Sequence, residues 1–193
     1  MDLKYFISGL KNILSDPSKA WGIINAEHKP LNVIRQSIVL PLVLLVSVAA
    51  MAGSLMFSNN SLPPAYSVFT GLRTFLVLII TIYVASYVLG EITYPLDLGK
   101  DFYTSFTIVS FSFVPFMLCQ IFSGLFESLL FVNIIGLYGL YIFWAGAEKF
   151  LDPPQYKKMP LLIATSVIAV GIYIITNEIL KTVLDKLFYA IFD

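Results

Sequence analysis

The residues able to do chemistry in this chain are few and widely spaced. There is one histidine, His28, and one cysteine, Cys119. A serine–histidine hydrolase inside a membrane needs a histidine at membrane depth, and His28 precedes the first long apolar run. A histidine-rich metal site fails on the same ground. Cys119 lies within an apolar stretch, reads as a small packed hydrophobe, and has no second cysteine with which to form a disulfide. Asp97 and Asp101 flank Gly99 and Lys100 in a loop, where they read as solvated charges. No phosphate-binding glycine loop or dinucleotide fingerprint occurs. With no nucleophile–base pair and no ligand set, the expectation is a protein that is not an enzyme and holds no metal or cofactor.

The remaining polar residues are read against membrane depth. Glu127, Glu148 and Glu178 fall near the ends of apolar runs, where water reaches them. Asn133 is the most deeply placed polar side chain. At helical spacing it shares a face with Gly136, Gly139, Leu140, Phe143, Gly146 and Ala147, so small residues admit a neighbouring backbone and the amide bonds across helices. Ala49 and Gly53 form a small-xxx-small pair. Pro115, among Thr104, Thr107, Ser110 and Ser112, predicts a kink. Lys149, with Lys157 and Lys158, forms a basic stretch that can attract anionic lipid headgroups at about 1 kcal/mol each.

The elements that must position these residues follow from hydropathy. Apolar residues make up 58% of the 193 residues and charged residues 12%, about half the soluble average. No water-soluble fold of this length hides so much apolar surface, so the bilayer is the solvent. The net charge of zero points to no nucleic-acid partner. Residues 37–57 carry no charge and as a helix cover ~31 Å, enough for the hydrocarbon core. Further spans are expected at about 72–91, 102–122, 125–147 and 161–179, with Ser123-Gly124 as the turn between the third and fourth; a re-entrant pair over 102–147 is the alternative. This is an all-α polytopic bundle of five transmembrane helices, 36–180, between amphipathic segments at 1–35 and 181–193.

Nine Lys/Arg fall on one side of these spans, namely five before the first, Lys100, Lys149, Lys157 and Lys158. Arg73, Lys181 and Lys186 fall on the other, with Arg73 read as a span-edge residue. The bias places the N-terminus in the cytoplasm and the C-terminus outside. The first 35 residues carry five of these charges and no small-residue cleavage motif, so the first span is expected to stay as an anchor. Leu3, Phe6, Ile7, Leu10, Ile13 and Leu14 make one helical stripe. Asp16 caps a second short helix with Pro17 at its first position, and Trp21 suits the lipid interface. This arm either lies on the membrane, where it senses lipid or docks a partner, or is a lead-in that shields the bundle. Residues 179–192 repeat the amphipathic pattern.

Three stretches carry a family resemblance: SDPSKAWGIINAEHKP at 15–30, SFSFVPFML at 110–118 and YGLYIFWAGAEKFLDPPQYKK at 138–158. Together they resemble the Yip family (Ypt/Rab-interacting proteins), in its prokaryotic branch. The resemblance implies five spans, a cytosolic N-terminus, an inner-membrane location and no settled reaction. Eukaryotic relatives bind prenylated Rab GTPases and shape ER and Golgi membranes. Their long cytosolic region and Asp-Leu-Tyr-Gly-type motif are not evident here. The function expected is a non-enzymatic membrane-organising or interaction scaffold, or else a small transporter or channel component acting as a dimer through its glycine-rich fourth span. Its partners would be the bilayer, anionic headgroups, and a second copy or another membrane protein.

Overall fold

In the computed structural model the described residues are 3–57, 64–94, 98 and 101–192, and they are almost wholly helical. Asp97 and Lys100, and the turn at 58–63, lie outside them. Helix α1 (Leu3–Ser15) leads into α2 (Pro17–Glu27). The Asp16 carboxylate accepts from the Lys19 N–H at 3.1 Å, and Pro17 takes the first position, where no N–H is needed.

The first span, α3 (Leu31–Phe57), contains a wide π turn over Arg35–Val39. It directly precedes Pro41, whose ring would otherwise press on the Ser37 carbonyl, so the wide turn absorbs the proline. Helix α4 (Pro64–Thr93) returns. Helices α5 (Phe102–Ser112) and α6 (Val114–Leu125) meet at a 40° bend at Phe113, beside Pro115 as the sequence suggests. The chain then turns at Phe126, after Ser123-Gly124 and not at it; those two residues stay helical because Gly124 packs against Ala50 of α3. A 3-10 segment, Glu127–Leu137, precedes α7 (Tyr138–Leu151). The last helix, α8 (Gln155–Phe192), has 38 residues and incorporates Pro160 near its start. At 1.5 Å per residue it is about 57 Å long, well beyond the hydrocarbon thickness.

Four of these segments are each long and apolar enough to cross a membrane, and the bent α5–α6 pair makes a fifth if taken as one crossing. Contacts place its two ends far apart. Tyr103 meets His28 and Lys29 beside the N-terminal helices, whereas the Phe126 ring packs on Phe57 at the end of α3. The pair therefore runs along the bundle from the N-terminal helices to the end of α3.

Several polar side chains inside the bundle are satisfied by their own helices. The hydroxyls of Ser47, Ser86 and Ser112 donate to carbonyls four residues back in their own helices. Outward faces are apolar, with Val48 of α3 and Val167 of α8 more than half exposed. Such a surface suits lipid. Helices α3 and α6 cross in backbone contact: a Cβ on Gly53 would stand 1.9 Å from the Gly124 oxygen.

Two outcomes follow. Gly53→Ala should cost about 1–3 kcal/mol by forcing α3 from α6, while Gly171→Ala, which meets nothing within 4 Å, should cost none; thermal unfolding in detergent reads both. The Asp101 carboxylate caps α5, accepting from the Tyr103 and Thr104 N–H groups and the Thr104 hydroxyl. Burial raises its pKa, but these hydrogen bonds and the His28 charge outweigh burial and hold it below its ordinary 3.8. A lowered folded value means stability present above pH ~4 and lost as pH falls through the folded pKa. Asp101→Asn should flatten that acid limb of the unfolding-midpoint profile.

Candidate functional site

Trp21 is completely buried, which corrects its assignment to the lipid interface. Its indole N–H donates to the Ile142 carbonyl of α7 at 2.9 Å. Phe111 and Phe150 present ring edges to it at 5.7 and 5.6 Å. Gly146 supplies the floor of the notch: a Cβ there would come within 2.8 Å of the indole carbons. A tryptophan one turn into a short helix suits either a headgroup layer or a protein pocket, and the pocket exists only when α7 folds against α2.

The rest of the amphipathic stripe follows the tryptophan inward. Ile13 is fully buried, and Phe6, Leu10 and Leu14 pack on the core, leaving Ile7 exposed. Gly9 lets α1 approach Ile38 of α3. The Tyr138 hydroxyl donates to the Leu14 carbonyl, and that of Tyr103 to the Lys29 carbonyl. Lys29 lies over the Tyr5 ring, and His28, in the left-handed region at φ 42°, stacks near Tyr103. Burial, with Glu27 and Tyr103 nearby, pushes the Tyr5 pKa up to about 12. The arm is thus clamped to α3, α5 and α7.

The glycine face is likewise occupied from within the chain. The Ser123 hydroxyl of α6 donates to the Asn133 Oδ1 at 3.2 Å, so the amide bonds across elements as its position suggests. Gly136 abuts Phe116, and Gly139 abuts the Ser112 carbonyl at the bend, where a Cβ would stand 2.3 Å away. The 3-10 geometry aligns residues three apart, which puts Asn133 and Gly136 in one row, and Gly139 follows at the start of α7. Of the three basic residues, Lys149 is exposed, Lys158 pairs with Glu148, and Lys157 lies over the Tyr156 ring at 5.7 Å. They form no common cluster with Trp21. Among the described residues no three His, Cys, Asp or Glu side chains are grouped to hold a metal.

Of the comparisons with known proteins, one gives a match. A family model described as the Yip1 domain matches residues 11–176. The chain belongs to the Yip family. Comparison with curated proteins and with solved structures gives no significant match. The family match spans α2, every residue of the tryptophan notch and the bend at Pro115, and ends inside α8. This Yip-family chain is an integral membrane protein by its apolar helices.

One feature escaped the pattern of spans. Arg73, expected at the edge of the second span, lies nine residues inside α4, about 14 Å from its start. It lines a cavity between α3, α4, α6 and α8. Single-sequence spacing gives no sign of such a site because each wall comes from a different helix.

Trp21→Ala should cost about 3–5 kcal/mol, and Gly146→Val should match it by filling the same notch from the other side. Limited proteolysis should cut within 15–30 in either variant and spare the parent chain. In a double-mutant cycle the two losses should be strongly non-additive.

Proposed function

We propose that this Yip-family protein is a non-enzymatic membrane-organising scaffold, with its N-terminus in the cytoplasm, in a prokaryotic inner membrane. The observation that carries the reading is the clamp. Trp21 joins two amphipathic helices to the spans as one body. The pair packs on α3, α5 and α7, away from the end where α4 begins, so it widens one half of the bundle only. An inclusion wider in one half favours a curved bilayer.

Charge supports orientation more than lipid attraction. The segments grouped with the N-terminus hold nine Lys/Arg but also eight Asp/Glu. Orientation follows the Lys/Arg count and responds little to acids, whereas attraction to anionic headgroups responds to both. With Lys158 held by Glu148, the 149–158 loop retains little pull of its own. Gly136, Gly139 and Gly146 are filled from within, which weighs against a dimer through the fourth span. The outer face of α8, with Ile163, Val167, Val170 and Ile174 exposed, is the surface for lipid, a second copy or another membrane protein.

A second reading, a transporter or channel component, draws on the cavity around Arg73. Full-length protein reconstituted at rising density should shift vesicles to smaller diameters by light scattering, and Trp21→Ala should abolish the shift. Unchanged diameters with the parent chain, or Asn133-sensitive solute flux in the same vesicles, would favour the second reading.

A further inference from the structure

The cavity beside Arg73 has a volume of about 410 Å³, within the range of small-ligand sites. Arg73, Gln120, Tyr173 and Asn177 converge on it from α4, α6 and α8. Among the described residues none of these four side chains makes a hydrogen bond or ion pair. Their neighbours differ: the hydroxyls of Thr70 and Thr74 donate to α4 carbonyls, that of Tyr66 to Asp185, and that of Ser123 to Asn133. The unspent groups are thus a guanidinium, two carboxamides and a phenol, all of which donate. A half-buried cation with no carboxylate partner this far along a transmembrane helix is costly unless something anionic meets it.

A second cavity adjoins the first. It has a volume of about 260 Å³, and its walls include Phe116, Gly136, Phe143, Thr165 and Ala169. Tyr173 borders both cavities. Along α8 the order runs from Asn177 in the polar cavity, through Tyr173, to Ala169 and Thr165 in the apolar groove. A polar pocket with one cation nearer the helix ends, continued by an apolar groove toward the middle of the bundle, has the polarity of a phospholipid entering from one leaflet.

We propose that these adjoining cavities bind a phospholipid with an anionic headgroup, its phosphate on the Arg73 guanidinium and an acyl chain in the groove past Tyr173. A guanidinium matches two phosphate oxygens bidentately, and the Gln120 and Asn177 amides and the Tyr173 hydroxyl can donate to the rest of the headgroup. The site differs from the clamp, shares no residue with it, and does not depend on the scaffold reading.

The full chain, in neutral detergent, is offered equal phosphatidylglycerol and phosphatidylcholine, and bound lipid is read by native mass spectrometry. Both lipids offer a phosphate, but only phosphatidylcholine brings a second cation, its choline ammonium, beside the Arg73 guanidinium, so retention of phosphatidylglycerol should exceed that of phosphatidylcholine roughly tenfold. Arg73→Gln should bring the two to parity and Arg73→Lys should keep part of the preference. Ala169→Leu, which fills the groove, should weaken lipid retention with Arg73 intact. Inorganic phosphate alone should raise the unfolding temperature less than phosphatidylglycerol does. The proposal is overturned by equal retention of the two lipids, by a preference that survives Arg73→Gln, or by inorganic phosphate stabilising as strongly as the lipid.

Discussion

The structure depends on one buried contact, the Trp21 indole in the notch over Gly146 with its N–H on the Ile142 carbonyl. Without it, α1 and α2 are two short amphipathic helices of 13 and 11 residues, marginal in water and free to lie on any apolar surface. With it, their stripe faces protein. The indole also fills space between Phe111 and Phe150, so it links α5 to the end of α7. The carbonyl it binds belongs to a helix already hydrogen-bonded internally, and the contact asks of α7 only a missing side chain.

Small residues do this work throughout the bundle. Lipid offers no hydrophobic drive between helices, so close backbone approach and dispersion must hold them. Gly53 against Gly124, Gly139 against Ser112 and Gly146 against Trp21 each place atoms where a methyl would not fit. The bend at Phe113 belongs to the same scheme, because the Ser112 carbonyl it turns outward is the surface on which Gly139 rests.

Much of the fold was legible because the bilayer imposes simple rules. Long uncharged runs such as 37–57 must be helical, Pro115 must disturb its helix, and Asp16-Pro17 must start one. Those features are local. What was not legible is relational. An apolar stripe ending in Trp21 reads identically whether it faces lipid or protein, and the choice turns on Gly146, 125 positions later by numbering. The glycine row announced close packing without naming Phe116, Ser112 and Trp21 as its partners. Arg73 looked like a span edge because apolarity falls off before it, yet α4 continues back to Pro64. The donors that share the Arg73 cavity come from α6 and α8, so no window of sequence contains its lining.

Helices α1 and α2 belong to the bundle and are not an arm on the membrane surface. Hydrogen–deuterium exchange on the full chain in lipid nanodiscs tests it directly at the amides of Ala20 to Ile24. Protection there should be close to that of α7 around Ile142 and unchanged between neutral and anionic lipid. Rapid exchange there, or protection that emerges only with anionic lipid, would contradict it.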